Sequence, residues 1–306
     1  MILKPSSREG LGIGIYLLLG AAVLATALLC ICVGSVSIPV SETLTVIGKA
    51  LLQKTADSPI ILSVRLPRVI CVALSGAALS LSGVAMQGLL KNPLADGSTL
   101  GVSSGASLGA VVAIAFGITL PGLPFAGTTV LAILFAFLSL LLILTLAYKM
   151  DYTLSTSTII LIGVIFSMFV SSILSLIITF AADKIKSITF WTMGSLSGST
   201  YENALVLLGA LILFGGMIFF HAGELNAFAV GEDNARNIGV NVRLVKLLVL
   251  IAASGLIGVC VSVGGTIGFV GLVTPHIARM VVGPNHKRLI PASLFGGSIF
   301  LMLCDL

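Results

Sequence analysis

Two broken apolar stretches decide the fold of this chain: NPLADGSTLGVSSGASLG, from Asn92 to Gly109, and GGTIGFVGLVTPHIAR, from Gly264 to Arg279. Glycine and proline interrupt each of them within regions that are otherwise apolar and long enough to cross a membrane. A bilayer offers no water to backbone N–H and C=O groups, so irregular main chain survives at membrane depth only inside protein or beside a water-filled path. The two stretches therefore indicate a transport route.

The composition places the chain among polytopic membrane proteins. Apolar residues make up 58% of the 306 residues and charged residues only 9%, against roughly a quarter charged in a soluble domain. No Asp, Glu, Lys or Arg occurs between Gly97 and Tyr148. Since a span needs about 20 residues, this region predicts two spans that turn at Pro121 and Pro124. The net charge of +5 is compatible with contacts to anionic lipids, and no basic run typical of nucleic-acid binding is present.

Hydrophobic runs of spanning length predict an all-α protein with nine transmembrane helices. The first run follows Lys4 and Arg8, but it is longer than the roughly 7–15 apolar residues of a signal peptide, so we interpret it as a retained helix. The predicted helices are Leu11–Gly34, Val69–Leu90, Gly97–Gly117, Phe125–Tyr148, Ser157–Ala181, Ala204–Phe220, Leu247–Ser262, Thr266–Val282 and Ile290–Leu306.

The distribution of lysine and arginine predicts an N-terminus in the cytoplasm. With this orientation the inner segments contain Lys4, Arg8, Lys91, Lys149, Arg236, Arg243, Lys246, Arg279, Lys287 and Arg288. The outer segments contain Lys49, Lys54, Arg65, Arg68, Lys184 and Lys186. The bias has the sign of the positive-inside rule. Arg65 and Arg68 lie outside against this trend, so their position requires a separate explanation.

No motif for catalysis or metal binding is present. The chain lacks a G-x-x-x-x-G-K-[ST] phosphate loop, H-E-x-x-H, G-x-S-x-G and the Rossmann fingerprint. We therefore expect no catalytic residue, no metal site, no cofactor and no ATP hydrolysis by this chain. The five cysteines are interpreted as small buried residues; a metal or redox role for Cys30-x-Cys32 is the weaker alternative. Few ionisable groups lie at membrane depth, which argues against an ion-coupled carrier.

A polar segment, HAGELNAFAVGEDNARNIGVNVRLVK, extends from His221 to Lys246 and lies in the cytoplasm on the predicted topology. Apolar residues with helical spacing on either side of Gly231 predict two short amphipathic helices joined at this glycine. An ordinary solvated loop and a compact knob both fit the pattern.

Several long motifs follow one another from Arg65 onwards. They are RLPR (Arg65 to Arg68), SGAALSLSGVAMQGLLKNPLADGSTLGVSSGAS (Ser75 to Ser107), FWTMGS (Phe190 to Ser195), Gly231-Glu232 through Ala235 to Gly239-Val240-Asn241, and GTIGFVGLVTPHIARMVVG (Gly265 to Gly283). In these motifs the chain resembles the FecCD-type permeases. Such permeases are the membrane subunits of type II ABC importers for ferric siderophores, haem and vitamin B12.

The resemblance implies partners and roles. A second permease subunit, either another copy or a paralogue, surrounds the pathway together with this one, two ATP-binding subunits bind in the cytoplasm, and an extracytoplasmic substrate-binding protein delivers the cargo. Guanidinium forks suit docking because they pair carboxylates at two points. The implied roles are docking of the binding protein for Arg65 and Arg68, ATPase coupling for Gly231, Glu232, Ala235, Arg236 and Gly239, and the cytoplasmic gate for Asn92, Leu94, Thr156 and Ser157.

Residues within the first broken stretch admit two interpretations. Gly101, Gly105 and Gly109 recur every four residues, which favours close helix packing over substrate contact. Three serines, Ser103, Ser104 and Ser107, are equally compatible with interhelical hydrogen bonds and with the lining of a polar path. Asn92 with the proline that follows it also fits a plain turn between helices.

Pro275 and His276 lie inside a predicted span. A proline there removes one backbone hydrogen bond, and His276 is expected to satisfy the freed carbonyl. A metal-ligand role for His276 is the weaker alternative, because no partner His or Cys is near it in the sequence.

The chain stops at Asp305-Leu306, whereas FecCD-type permeases continue with an acidic residue and an arginine, an outer E-L-P-[VI]-G segment and a tenth helix. We therefore expect a fragment or a chain that lacks the last helix, with a ninth helix under-packed on one side and Asp305 without its usual protein surroundings.

We predict that residues 1–306 form a single transmembrane permease domain in the bacterial cytoplasmic membrane. Its predicted function is import of an iron chelate, a ferric siderophore in the first place, with residues 221–246 as the cytoplasmic coupling segment. The main alternative is an ion-coupled secondary transporter of a small solute. A membrane enzyme is a third alternative, for which no catalytic constellation is present.

Overall fold

The computed structural model describes residues 13–34, 36–52, 58–97, 99–119, 126–152 and 154–306. Within these ranges the regular structure is helical, with no strand. Seven helices are long and apolar enough to cross a membrane: Gly14–Cys32, Ile60–Leu90, Gly127–Met150, Thr156–Phe180, Tyr201–Phe220, Val242–Gly264 and His286–Asp305. Two further apolar helices, Val102–Ala115 and Val270–Val282, are shorter. All nine coincide with predicted runs, so the predicted all-α polytopic fold is confirmed.

The described helices, in chain order, are α1 Ile13–Cys32, α2 Val40–Leu51, α3 Leu66–Leu90, α4 Val102–Ala115, α5 Ala126–Met150, α6 Thr156–Phe180, α7 Ile185–Met193, α8 Tyr201–Ala210, α9 Gly216–Phe220, α10 Ala222–Val230, α11 Glu232–Asn237, α12 Val242–Gly264, α13 Val270–Val282 and α14 His286–Asp305. A π-helical turn, Ile60–Arg65, leads into α3, and another, Leu211–Gly215, joins α8 to α9.

Three helix starts differ from the prediction and change the position of basic residues. Helix α14 begins at His286 instead of Ile290, so Lys287 and Arg288 belong to it. The helical segment that includes α3 begins at Ile60 instead of Val69, so the RLPR motif lies in its first turns. Pro67 is the second residue of α3, directly after the π-helical turn, so its missing N–H group falls at the junction of the two. Helix α12 begins at Val242 instead of Leu247, so Lys246 belongs to the helix. The predicted turn at Pro121 and Pro124 lies outside the described residues.

Helices α3 and α12 form the centre of the bundle. Of their most apolar windows, 83% and 78% of the residues are buried, against 11% for α1 and 22% for α6. Small residues allow neighbours to approach α3 closely. A Cβ atom on Gly76 would lie 2.2 Å from the carbonyl oxygen of Gly297, and one on Gly83 would lie 1.9 Å from that of Gly271. The backbones of α14 and α13 therefore pack directly on α3.

Side-chain contacts gather the connecting segments at two opposite ends. At one end, Asn226 of α10 contacts Asn285 before α14, and Lys246 contacts the loop before α6. At the other end, the start of α3 contacts the ends of α1 and α14. This arrangement agrees with the predicted topology, which assigned the first set of segments to the cytoplasm and the second to the outside.

Candidate functional site

A cavity of about 510 Å³ lies where the two broken stretches meet. Helices α3, α6 and α12 complete its wall through Leu79, Ser82, Leu174, Ile257 and Val261. The first broken stretch contributes Leu94, Asp96, Gly97, Thr99, Ser103, Ser104 and Ser107, and the second contributes Thr266, Ile267, Gly268, Phe269, Gly271 and Leu272. The irregular main chain therefore borders an open space, as expected for non-helical backbone at membrane depth.

The irregular part of the first stretch is held by a local hydrogen-bonded turn. The Thr99 backbone N–H donates to the Asp96 carboxylate at 3.2 Å, and the Thr99 hydroxyl donates to the Asp96 carbonyl at 2.8 Å. These bonds satisfy polar groups that a helix would otherwise pair. In the second stretch Phe269 has a left-handed φ of 65° and its side chain is 72% exposed beside the cavity. A bulky residue in this conformation is a backbone outlier of the kind found at functional sites.

The cavity wall is apolar with hydroxyl groups. Ser103, Ser104 and Ser107 line it, and the Ser107 hydroxyl donates to the carbonyl of Ser103 on its own helix at 2.9 Å. The structure thus places all three serines beside the cavity. Asp96 is the one ionisable residue in the described wall. The described residues also contain no group of three or more His, Cys, Asp or Glu that could hold a metal ion.

The predicted gate residues are not gathered around this cavity. The Asn92 side chain accepts a 2.9 Å hydrogen bond from the Leu94 N–H, which forms a tight turn, and Leu94 is exposed into the cavity. Thr156 and Ser157 lie in the first turn of α6, after Ser155 as N-cap, and neither is a wall residue in the described chain. Only Leu94 of the four borders the space directly.

The three glycines of the first stretch contact neighbouring helices. A Cβ atom on Gly105 would lie 2.3 Å from the Ser139 hydroxyl, and one on Gly109 would lie 2.3 Å from the Leu131 carbonyl oxygen, both on α5. Gly101 precedes α4 with a φ of 75° and faces Gly163 of α6. None of the three is among the wall residues described above.

The two arginines predicted to dock a binding protein are both engaged with this chain. The Arg65 guanidinium donates to the carbonyls of Ile31, at 2.5 Å, and of Val36, so it caps the end of α1. Arg68 pairs with Asp305 at the end of α14. Both side chains are half-buried in a groove at the outer end of the bundle.

The cytoplasmic segment forms two short helices, α10 and α11, separated by Gly231 with a φ of 140° that favours glycine. Ala235 is 0% exposed, so the alanine side chain that we expected at an ATPase contact is instead packed inside the segment. Arg236 and Gly239 are exposed, and Arg236 pairs with Asp233 at 3.6 Å on the surface. Glu232 turns inward and pairs with buried Lys246 at 2.9 Å.

Gln87 holds the second broken stretch through hydrogen bonds, and the sequence interpretation missed this residue. Its amide N–H donates to the carbonyl of Gly271 at 3.1 Å, the acceptor left without its helical donor by Pro275, and its amide oxygen accepts from Arg279 at 3.0 Å. The expectation that His276 satisfies this carbonyl is therefore wrong, and the His276 side chain is exposed. A glutamine in the last turn of an apolar helix was the available signal.

The chain is similar in sequence and in structure to membrane permeases. Residues 22–306 match the FecCD transport family. YvrB of Bacillus subtilis (strain 168), an uncharacterised ABC transporter permease protein, is 44% identical over 247 residues, which are 81% of this chain and 70% of YvrB. The molybdate import system permease protein MolB of Haemophilus influenzae is 34% identical over 99% of this chain and 88% of MolB. A solved structure, described as an inward-facing conformation of a proposed metal-chelate type ABC transporter, superposes with a TM-score of 0.84 at 32% identity, over 95% of this chain and 89% of that one.

Proposed function

Because the chain belongs to the FecCD transport family and is a multi-pass permease of the bacterial cytoplasmic membrane, we propose that it is a subunit of an ABC importer for an iron chelate, specifically a ferric siderophore. The observation that carries this proposal is the cavity in which both broken stretches meet. Its volume, about 510 Å³, falls within the roughly 300–1,000 Å³ of small-molecule sites.

The chemistry of the wall favours an intact chelate as cargo. A bare ferric ion would need a set of carboxylate, imidazole or thiolate ligands, and the described residues contain no such cluster. An oxyanion such as molybdate, the cargo in MolB's name, is best held by basic side chains, whereas the described wall contains Asp96 and no Lys or Arg. Hydroxyl groups on an apolar surface suit the polar and apolar parts of an organic chelate. These properties support the siderophore over molybdate.

The proposed assembly follows from the family. Residues 1–306 form one permease domain that pairs with a second permease, and the two together enclose the pathway. This chain has no phosphate loop, so two separate ATP-binding subunits hydrolyse ATP, and one of them contacts the exposed surface of α10 and α11. A substrate-binding protein docks at the outer groove around Arg65 and Arg68.

Uptake by the assembled importer tests the proposal. A strain that lacks its own siderophore permeases should accumulate a radiolabelled ferric siderophore when it expresses this chain with its ATP-binding and binding-protein partners. Accumulation should require ATP and survive a protonophore, because no ion gradient drives it. Loss of uptake with the protonophore at unchanged ATP would instead support the ion-coupled alternative. Uptake of labelled molybdate or cobalamin in place of the siderophore would contradict the proposed cargo.

A variant of the cavity wall tests whether this space belongs to the path. Ser104→Leu fills part of the cavity and should reduce siderophore uptake, while the protein level in the membrane stays unchanged. Thr145→Leu is the matched control, since Thr145 is exposed on α5 and, in the part of the chain that the structure describes, its hydroxyl bonds to the carbonyl of Leu141 on the same helix. Equal uptake by the two variants would show that the cavity is not on the route.

A further inference from the structure

Lys246, near the start of α12, lies between α11 and the loop that leads into α6. Its side chain is only 3% exposed. The ammonium donates to the Glu232 carboxylate of α11 at 2.9 Å and to the backbone carbonyl of Leu154 at 3.1 Å. A buried ammonium requires partners, because removal from water is unfavourable unless the charge is paired and hydrogen-bonded. Lys246 has one partner on each of two segments that are far apart in sequence.

The loop partner is at a special backbone position. Leu154 has a φ of 51°, which is unusual for a bulky residue without a reason in the surrounding structure. The next residue, Ser155, caps α6 through its hydroxyl, and its N–H donates to the Asp151 carboxylate at 3.1 Å. The Lys246 contact therefore fixes the chain at the residue immediately before the cap of α6. The gate residues inferred from the sequence, Thr156 and Ser157, follow directly.

The other charges of α11 make no such connection. Asp233 and Arg236 pair with each other at 3.6 Å across the exposed face of the same helix. Helix α10, in contrast, is tied to α14, because the Asn226 side chain bonds to Asn285 and to the N–H of His286. Within the described residues, Glu232 and Lys246 thus form the ion pair that joins α11 to a membrane-spanning helix.

We propose that Lys246 is a positioning residue that transmits displacement of α11 to the start of α6. If α11 moves and withdraws Glu232, the ammonium loses its counter-charge and is drawn toward water, which removes the donor from the Leu154 carbonyl. The loop is then free to leave its left-handed conformation, and the first turn of α6 shifts. This inference rests on the proposed function, in which an ATP-binding subunit moves the coupling segment.

Hydrogen exchange on the purified chain in lipid nanodiscs tests the link without any partner. Glu232→Gln keeps the shape of the side chain and removes its charge. We expect a several-fold faster exchange at the amides of Leu154, Ser155 and Thr158, each of which is hydrogen-bonded in or next to the loop. Asp233→Asn is the matched control on the same helix and should leave these amides unchanged. Equal exchange rates in the two variants would overturn the proposal, whether or not the chain is an importer.

A charge exchange separates the ion pair from the loop contact. The double variant Glu232→Lys with Lys246→Glu restores opposite charges between α11 and α12, but a glutamate at position 246 has no proton to donate to the Leu154 carbonyl. We expect α11 to remain protected while the loop amides exchange as fast as in Glu232→Gln. Wild-type protection of the loop in this double variant would show that the ion pair alone holds the loop and would overturn the proposal.

Assembled importer complexes provide the functional readout. Lys246→Arg keeps a buried donor and should retain ATP-driven uptake of the labelled ferric siderophore. Lys246→Met should keep ATP hydrolysis but lose most of the uptake per ATP hydrolysed, because the coupling segment still binds its partner. Full coupling in Lys246→Met would contradict the proposed role. Failure of uptake in the unmodified complex would contradict only the proposed function, since the exchange experiment does not depend on transport.

Discussion

The guanidinium of Arg68 and the carboxylate of Asp305 form a two-point ion pair, in which Nε to Oδ2 and Nη2 to Oδ1 are both 2.9 Å. It joins the start of α3 to the end of α14. Asp305, which we expected to lack its usual protein surroundings, therefore has a charged partner on α3. The Nη1 group of Arg68 makes no hydrogen bond to the described residues, so this edge of the fork can still meet a carboxylate of a binding protein.

Charge reversal at Arg68 separates its structural role from docking. Arg68→Glu places two carboxylates together, and because the side chains are 38% and 24% exposed, we expect a loss of about 1 kcal/mol in unfolding free energy. The double variant Arg68→Glu with Asp305→Arg should recover this loss but not the affinity for the binding protein, since the guanidinium then belongs to α14. Thermal unfolding in detergent and pull-down of the binding protein measure the two effects. Recovery of both would show that the position of the guanidinium is unimportant.

The membrane spans could be predicted from the sequence, but the contacts between them could not. Long apolar runs with few charges predict membrane helices, so the seven helices of spanning length and the two shorter apolar helices were predictable. The burial of Ala235, in contrast, depends on how α11 packs, and neither spacing nor composition shows that. In the sequence Lys246 ends the polar segment His221 to Lys246, where a lysine is expected to be solvated. Its burial follows from two acceptors, on α11 and in the loop before α6, whose approach only the tertiary structure determines.

Ala235 and Ile238 should respond differently to substitution. Ala235→Leu introduces three carbon atoms into a fully buried position and should destabilise the α10–α11 segment by roughly 1–3 kcal/mol. Ile238 is 72% exposed at the end of α11, so Ile238→Glu should leave the segment folded but weaken binding of the ATP-binding subunit. Limited proteolysis of the purified chain reports the first effect, and co-purification of the ATP-binding subunit the second. A proteolysis-resistant Ala235→Leu variant would contradict the observed packing.

The close approach of α4 and α5 predicts strong sensitivity at Gly109. A Cβ atom there would lie 2.3 Å from the Leu131 carbonyl oxygen, and a backbone atom cannot move aside as a flexible side chain does. We expect Gly109→Ala to lower the unfolding free energy by roughly 1–3 kcal/mol. Gly20→Ala in α1 is the control, since nothing lies within 4 Å of its Cβ position. Similar melting temperatures for both variants would mean that the two helices are not packed so tightly.

Gln87 and Pro275 should show coupled effects on stability. Gln87→Leu removes the donor to the Gly271 carbonyl and the acceptor of Arg279. Both groups are half-buried, so we expect each lost hydrogen bond to cost roughly 0.5–1.5 kcal/mol. Pro275→Ala supplies a backbone N–H four residues after Gly271, which can form the missing helical bond. In the double variant this backbone bond replaces the one from Gln87. The decrease in unfolding free energy should therefore be smaller than the sum of the changes measured for Gln87→Leu and Pro275→Ala alone.

A double-mutant cycle on thermal or denaturant unfolding measures this coupling, which we expect to be about 1 kcal/mol or more. The double variant should remain less stable than the wild type, because the new N–H group does not replace the hydrogen-bond acceptor that Arg279 has lost. His276→Ala is the control: an exposed imidazole that does not serve the Gly271 carbonyl should leave stability unchanged. Strict additivity of the two substitutions, or a large loss in His276→Ala, would show that the freed carbonyl is satisfied by a group other than Gln87.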